Sequence, residues 1–464
     1  MPTSDEFDII IIGAGTGGYT AAIRARQLDL KVCVIEKDKP GGVCLNWGCI
    51  PTKNIIHQAE IFNSRSVLEE MGVSVDSRKF DFSCVYEKSR DAVNNLVKGV
   101  EYLLKNNNVT LITGTAKIVT KNRVALQDGT RIIGKNILIA TGSRPLQLPG
   151  FETDEKQILS STGILALKNL PKSIVILGGG AIGCEFAYIM NAFGVKVYLV
   201  EMMDHILPFE DEETVAVLEK SFKKQGVTVM TGTRAISLEK SSKKVLVNLQ
   251  VPGDGQQQIE SQKVLCVFGR TPNTDGIGLE NIGLKTEKEY ICVGDYGQTS
   301  VPGVFAIGDV VATPLLAHVA AKEAEIAVEY MAGHPSEARI DLNAVPSAIY
   351  CQPQVASFGF REATAREQNI PYKKAIFPYQ AIGKAVAIDQ TKGIIKVLCD
   401  PNTTEILGAH IVGYNATELI HEILLAKATE LIPEDIAKMI HAHPTLSEGI
   451  MEGMREVEGH AIHI

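Results

Sequence analysis

Two glycine fingerprints, each wedged between a buried strand and a helix, constrain this chain more than any other feature. Residues 7–12 form a continuous apolar strand, followed by Gly13, Gly15 and Gly18, a helix-like segment over 20–28, and a strand over 31–35 that ends at Glu36. Residues 173–177 repeat the pattern with Gly178, Gly180 and Gly183, a helix through 191, and a strand over 196–200 ending at Glu201. Each acidic residue follows the first glycine of its fingerprint by 23 positions. One G-x-G-x-x-G is a weak signal. Two with matching flanks and matching carboxylates point to two Rossmann-like dinucleotide-binding units and an α/β fold.

Each glycine has a physical task. The first makes a tight turn, the second lets the backbone approach a pyrophosphate, and the third lets helix and strand pack closely. The helix N-terminus offers free N–H groups and the positive end of its dipole to the phosphates. Glu36 and Glu201 are placed to accept hydrogen bonds from ribose hydroxyls. A carboxylate at position 201 repels a 2′-phosphate, and Met202-Met203-Asp204-His205 brings no arginine to hold one. The second site is therefore expected to take NAD rather than NADP.

Just beyond the first fingerprint stands Gly41-Gly42-Val43-Cys44-Leu45-Asn46-Trp47-Gly48-Cys49-Ile50-Pro51-Thr52-Lys53. Two cysteines five apart, between glycines and a helix-starting Ile-Pro, suit a disulfide that opens and closes. A structural staple shares that spacing, but it leaves the adjacency to a nucleotide site without a reason. Near the other end comes His441-Ala442-His443-Pro444-Thr445-Leu446-Ser447-Glu448. A His with a Glu five residues on, bent around a proline, can form an imidazole–carboxylate pair whose carboxylate fixes the tautomer. Alone, such a cluster more often caps a helix or lies at the surface. Metal binding by His441 and His443 lacks a third ligand at a suitable spacing, so no metal is expected.

At 464 residues the chain exceeds a single core, and three or four domains are expected. Residues 137–145 and 264–273 each read as a buried strand running into a turn. Pro149-Gly150 marks a boundary, 304–309 is an apolar strand ending in Gly-Asp, and Leu315-Leu316-Ala317-His318 opens a helix. From about 345 the texture changes to alternating strands and a long helix over 416–427. A net charge of −8 with no basic block argues against nucleic acid as partner. No apolar run reaches the ~18 residues of a membrane span. The acidic start resembles neither a secretory signal nor a transit peptide. Among the nine cysteines, Cys33, Cys184, Cys266 and Cys292 lie in core-like segments and are expected to be buried, reduced thiols. A cytoplasmic location follows.

Together, GAGTGG, GGVCLNWGCIPTK, ATGSRP, GGGAIGCE, GRTPN, AIGDV, LLAH and HAHPTLSE, in this order and spacing, resemble the flavoprotein disulfide reductases from end to end. The likeness is nearest to the branch that oxidises dihydrolipoamide. It rests there on the Cys-Leu-Asn form of the disulfide motif, Glu201 and the terminal motif. The resemblance implies an FAD-binding domain with the redox disulfide over 1–149, an NAD-binding domain over 150–272, a central domain over 273–344, and a C-terminal α+β dimerisation domain over 345–464. It implies FAD on Gly13, Gly15, Gly18, Glu36, the backbone near Ala116, Thr141, Gly142, Ser143, Asp309, and Leu315, Leu316, Ala317 and His318. It implies NAD on Gly178, Gly180, Ala181, Ile182, Gly183, Glu201 and Gly269, and a Lys53–Glu185 pair beneath the flavin.

The resemblance also assigns roles that spacing alone leaves open. Cys44 is the sulfur attacked by the substrate thiolate, Cys49 the thiolate stacked on the flavin, and His443, oriented by Glu448, the base. A Cys44→Ser chain is then expected to keep a thiolate–flavin charge-transfer absorbance that Cys49→Ser lacks; the reverse pattern would exchange the two roles. In the family this histidine reaches the partner subunit's disulfide, so a homodimer is expected. The implied partners are lipoyl domains and the acyltransferase core of a 2-oxoacid dehydrogenase complex, or a glycine-cleavage lipoyl protein. Two departures stand beside the disulfide: Trp47 where the family has a small aliphatic residue, and Val43 where Thr is common. Rival readings are an NAD(P)H-dependent reductase of another small disulfide and, outside enzymes, a binding component of a multienzyme complex. The chain lacks the arginines that the NADP-dependent reductases place after the second fingerprint, and its retention of both cysteines with His443 favours catalysis.

Overall fold

The computed structural model describes residues 6–253 and 255–464; residues 1–5, which entered the argument against a leader, lie outside them. The chain forms two compact, discontinuous units. One runs through Asn54, Ser83–Leu146 and Phe268–Ile340; the other takes Ile55–Phe82, Gln147–Val267 and Asp341–Ile464.

The first unit is built on a strand covered on both faces. Ile9, Ile10 and Ile11 are wholly buried, which is why Glu6–Ile12 reads as one apolar run. It lies between two parallel neighbours, Val32–Glu36 and Arg131–Ile139, and Thr110–Thr113 extends the sheet beyond the former. The far edge of Arg131–Ile139 is shared. Its first half pairs antiparallel with Arg123–Leu126, and its last residues pair parallel with Val304–Ala306. The helix Thr16–Gln27 packs on Ala317–Met331, where Arg24 donates to Glu329 across 2.7 Å. That first helix begins four residues before the periodicity suggested, because Gly18 of the fingerprint and its neighbour Gly17 lie inside its opening turn.

In the second unit the same plan recurs. Ser173–Leu177 lies between Lys196–Val200 and Lys263–Cys266, all parallel, with Thr228–Met230 and Ile158–Leu159 at the edges. An antiparallel meander of Arg234–Lys240, Val245–Val251 and Gly255–Ser261 precedes the strand Lys263–Cys266. Antiparallel strands likewise precede the last third of Arg131–Ile139, so the sequence duplication is also a duplication of architecture.

The C-terminal part of this unit is a five-stranded antiparallel sheet in the order Ser347–Ile349, Gln354–Gly359, Ile406–Gly413, Ile394–Cys399, Lys373–Pro378. Helices Ala416–Ala428 and Glu448–Val457 cover it, burying Phe377, Ile395, Ile411, Ile420 and Ile450. Lys396, in the middle of an apolar strand, is 0% exposed. Its ammonium donates to Asp211 at 2.8 Å and Glu362 at 2.8 Å and pairs with Glu213 at 2.6 Å. Asp211 is also the N-cap of Glu212–Gln225, accepting from the Glu213 N–H. One buried cation thus ties the helix Glu212–Gln225 to the sheet.

Seven cysteines are free among the described residues, and five of them, including Cys33, Cys184 and Cys266, are buried. Cys292 is a correction, because it is exposed. Tyr290–Ile291 is a two-residue strand whose Ile291 turns inward. The Ile-Cys-Val run there starts on the last residue of a two-residue hairpin strand and leaves the strand at Cys292.

Candidate active site

The two fingerprints have the same steric construction. A Cβ on Gly13 would meet the Ala140 carbonyl oxygen at 2.4 Å, and one on Gly178 the Val267 carbonyl oxygen at 2.5 Å. Both glycines have positive φ, 103° and 116°. A Cβ on Gly18 or Gly183 would stand 1.9 Å from the carbonyl oxygen of Gly13 or Gly178. The middle glycines differ. Gly180 has nothing within 4 Å of its Cβ position and Gly15 has only the Gly42 Cα at 3.8 Å. The outer glycines are needed to close the turn, whereas the middle ones leave open space at the N-termini of Thr16–Gln27 and Ala181–Ala192. That space fits a pyrophosphate in each unit.

Each paired carboxylate braces its own loop. Glu36 accepts from the Ala14 N–H at 2.7 Å and the Asp38 N–H at 2.9 Å. Glu201 accepts from the Gly179 N–H at 2.6 Å and the Met203 N–H at 2.8 Å. Carboxylate oxygens hold two lone pairs each, so both still have acceptor capacity for ribose hydroxyls. Met202 and Met203 beyond Glu201 are exposed and bring no cation.

The redox segment is fastened to the first fingerprint backbone to backbone. Gly41 N–H donates to the Ala14 carbonyl at 2.7 Å, and a Cβ on Gly42 would come within 2.6 Å of the Gly15 Cα. Gly41 and Gly42 both take positive φ to make this approach. Cys44 sits in the short helix Gly42–Trp47, and Cys49 is the first residue of the helix Cys49–Asn63. The two form a disulfide with Cα atoms 4.7 Å apart. Their settings are unequal, since Cys49 lies at a helix N-terminus, where a thiolate is favoured. Lys53 is half-buried one turn further along the same helix. Glu185 is buried in Ala181–Ala192, and its carboxylate accepts from the Tyr350 N–H at 3.1 Å.

The two strand-to-turn segments meet in the first unit. Arg270–Pro272 pairs antiparallel with Ser143–Pro145, and Thr141 and Asn273 exchange bonds of 2.8 and 2.9 Å. Ser143 Oγ donates to Asp309 at 2.5 Å. Arg270 donates to Ser143 Oγ at 2.6 Å and to its carbonyl at 2.8 Å, and it stands 3.6 Å from Asp309. Burial pushes the Arg270 guanidinium down from its usual value, against the pull of Asp309. Behind Asp309, Glu323 accepts from the Gly308 N–H at 2.7 Å, and burial pushes its carboxyl up. Gly142 is left-handed at φ 69°, and Ala116 opens a strand in this unit with its side chain buried. Leu315 and Leu316 lead into the helix that starts at Ala317 and His318.

In the terminal segment His443 Nδ1 lies 2.8 Å from Glu448 Oε1, and the Thr445 N–H donates to Oε2 at 2.8 Å. Burial acts to raise the Glu448 carboxyl, but the Thr445 N–H and His443 outweigh it and hold it below its ordinary value. With Nδ1 donating to the carboxylate, the neutral ring presents Nε2 as its basic nitrogen. The His443 side chain is 76% exposed, as a group that meets an incoming substrate must be. His441 instead faces Glu422 at 2.8 Å and the Met439 carbonyl at 3.2 Å. No metal-holding cluster of His, Cys, Asp and Glu occurs among the described residues.

Sequence reasoning left Arg270, Glu323 and Glu422 without roles. Arg270 stands in the GRTPN motif, and its local signal is a charge beside a turn. Glu323 and Glu422 lie on helices and become visible only when the fold brings Gly308 and His441 to them.

Comparison with known proteins gives one consistent answer. Residues 7–324 match the family "Pyridine nucleotide-disulphide oxidoreductase", and residues 345–454 match its dimerisation domain. The chain is 42% identical over 463 residues to a dihydrolipoyl dehydrogenase of Geobacillus stearothermophilus, covering 99% of this chain and 98% of that one. It is 40% identical to the mitochondrial dihydrolipoyl dehydrogenase 1 of Arabidopsis thaliana, covering 99% and 92%. Among solved structures, LpdA from Mycobacterium tuberculosis superposes with a TM-score of 0.89 at 26% identity, covering 97% of this chain and 99% of that one. The HOCl-induced flavoprotein disulfide reductase RclA of Escherichia coli does so with 0.86 at 26% identity, covering 97% and 99%. Among the described residues no helix is long and apolar enough to cross a membrane. With twin fingerprints, a disulfide fastened to the first of them and relatives matching along its whole length, this chain belongs to the pyridine nucleotide-disulphide oxidoreductases, in their dihydrolipoyl dehydrogenase family.

Proposed function

We propose that the chain oxidises protein-bound dihydrolipoamide to lipoamide and passes the electrons to NAD. The observation that carries this reading is the Cys44–Cys49 disulfide seated against the first fingerprint, in a chain that also holds an exposed His443–Glu448 pair. FAD is assigned to the first unit, on Gly13, Gly15, Gly18, Glu36, Ala116, Thr141, Gly142, Ser143, Asp309 and Leu315 to His318. NAD is assigned to Gly178 to Gly183, Glu201 and Gly269. When bound, FAD supplies the two-electron link between the dithiol and the nicotinamide.

The chain's own residues do the rest. His443 Nε2 takes a proton from one substrate thiol, because the thiolate is the nucleophile. That thiolate attacks Cys44, the Cys44–Cys49 bond breaks, and Cys49 leaves as a thiolate held by the N-terminus of its helix. The second substrate sulfur then displaces Cys44, giving its proton to the departing Cys44 sulfur and closing the lipoamide ring. The products are one oxidised lipoamide and one reduced Cys44/Cys49 pair, so two electrons have moved into the protein. Lys53 and Glu185 are assigned beneath the flavin.

The reading extends to the assembly. The chain carries the family's dimerisation domain, and we assign His443 to the disulfide of the partner subunit in a homodimer. An active monomer in sedimentation would remove that assignment. Seven free cysteines suit a reducing compartment, here the cytoplasm. The partners are lipoyl domains and the acyltransferase core of a 2-oxoacid dehydrogenase complex, or a glycine-cleavage lipoyl protein.

The test is NAD reduction by purified protein and dihydrolipoamide, beside NADPH with glutathione disulfide. NADH formation that depends on dihydrolipoamide supports the reading; turnover of only the other disulfide refutes it. Because Glu201 faces any 2′-phosphate, kcat/KM is expected to favour NAD over NADP by about 10²-fold. Equal rates with the two would remove Glu201 from that role.

A further inference from the structure

The redox loop has to work in two states, and only one of them contains a covalent tie between its ends. The helix Gly42–Trp47 has six residues, too few to persist unaided, and Gly48 ends it at φ −149° and ψ −110°. Its closing carbonyls need partners from outside the helix. Asn46 is 3% exposed, and its side-chain amide donates to the Pro40 carbonyl at 3.1 Å and the Gly42 carbonyl at 3.0 Å. The Asn46 carbonyl accepts from Arg90 Nη1 at 2.9 Å. Arg90 comes from the helix Phe82–Asn106, 44 residues away in sequence.

The guanidinium does more than donate once. Its carbon lies 5.3 Å from the centre of the Trp47 ring and 5.8 Å from that of Tyr86, both within cation–π range. Burial pushes the guanidinium down from its ordinary value, yet an arginine stays charged. Its Nη2 is buried with no hydrogen-bond partner. An unpaired buried donor works against stability. Packing alone would not call for a cation in this place. The position of Trp47, the one tryptophan of the chain, is accounted for in the same way, since it supplies the ring that faces the cation.

We propose that Arg90 is a positioning residue for the reduced redox loop: pinned to the Asn46 carbonyl and faced by Trp47 and Tyr86, it holds residues 43–50 in place after the Cys44–Cys49 bond has opened, so the two thiols stay poised to re-form it. In the oxidised state the disulfide itself fixes the loop, and Arg90 is redundant there. In the reduced state Arg90, the Asn46 amide and Thr52 Oγ1, which donates to the Gly48 carbonyl at 2.6 Å, are side-chain ties that add to the backbone bonds of the loop. Lysine at position 90 keeps the charge but has neither the planar face nor the fork of donors.

The inference rests on Cys44–Cys49 being the redox pair, and its test needs no dihydrolipoamide turnover. Dithiothreitol opens the disulfide of the holoenzyme, each molecule giving two electrons and two protons and becoming a cyclic disulfide. Amide hydrogen exchange over residues 43–50 is then followed in both states for the parent, Arg90→Met, Arg90→Lys and Trp47→Leu. Arg90→Met is expected to match the parent when oxidised and to exchange at least tenfold faster when reduced. Arg90→Lys should fall between them, and Trp47→Leu should repeat the pattern more weakly. Equal exchange in reduced parent and reduced Arg90→Met, or an equal rise in both states, overturns the role of Arg90 while leaving the redox pair intact. A disulfide that dithiothreitol does not open overturns both readings together. Should Arg90→Met fail to fold, Trp47→Leu decides by the same comparison.

Discussion

Replacing His443 with glutamine is expected to lower the kcat for dihydrolipoamide oxidation by about 10²–10⁴-fold, the usual contribution of a positioned general base. The Cys44–Cys49 disulfide should remain intact, because nothing in its fastening to the fingerprint involves the terminal segment. Glu448→Gln should have a smaller effect, on the order of 10²-fold, because an amide oxygen can still accept from Nδ1. What it loses is the negative charge that stabilises the protonated ring. Glu448 is held below the ordinary carboxylate value of 4.5, so it is charged throughout the range in which turnover is measured. Steady-state assays with dihydrolipoamide, alongside a thiol count before and after reduction, separate loss of the base from loss of the redox pair. A His443→Gln chain with near-parental kcat would place the base elsewhere.

Lys396→Met is expected to destabilise the second unit by about 3–5 kcal/mol at neutral pH, as breaking a buried ion pair generally does. The reason is visible in the partners. Asp211 is 3% and Glu362 9% exposed, and both would lose their closest cation. Lys374 still reaches Glu213 and Glu362, so the loss is partial. Burial acts to raise the Glu362 carboxyl, but bonds from Lys396, Tyr372 and Lys374 outweigh it and hold it at about 2, against an ordinary 4.5. Burial likewise acts to lower Lys396, and its three carboxylates outweigh that and raise it above 10.5.

The signs then fix a pH window. A lowered carboxylate contributes stability above its unfolded pKa and loses it as pH falls through the folded one. A raised lysine contributes below its unfolded pKa and loses it as pH rises through the folded one. The parent should therefore hold the cluster's contribution between pH 4.5 and 10.5 and lose the Glu362 share on descending towards 2. The gap between parent and Lys396→Met should narrow over that descent. Urea unfolding of both chains at several pH values measures it, and a gap that does not change with pH would contradict the electrostatic account.

Much of the site was legible in the sequence because its signals are local. The third glycine of each fingerprint is dictated by atoms five residues away, Gly18 by the Gly13 carbonyl and Gly183 by the Gly178 carbonyl. Cys44 with Cys49, and His443 with Glu448, are likewise five residues apart, close enough for spacing to speak. Lys396 was not legible. Its ligands lie 34 and 185 residues away, and a lone lysine in the run Ile-Ile-Lys-Val-Leu-Cys looks like a solvent-facing position. Arg90 lacked a signal for the same reason, since its partner carbonyl belongs to a distant loop. Cys292 shows the opposite error: an apolar run suggested burial, but a two-residue strand ends before it. Patterns of hydrophobicity report which elements form; they do not report which polar group a folded neighbour will supply.

The discontinuity of the first unit sets a timetable for synthesis. The helix Thr16–Gln27 packs on Ala317–Met331, and the strand Arg131–Ile139 completes its pairing with Val304–Ala306. Ribosomes add ~5–20 residues per second, so the first helix waits on the order of 15–60 s for its partner to be made. Until those residues are made, the last part of Arg131–Ile139 and one side of Thr16–Gln27 lack the partners that cover them in the folded chain. Its yield in a cell should accordingly depend on how well chaperones shield the nascent chain, and faster translation through residues 140–300 should raise the fraction that reaches the native state.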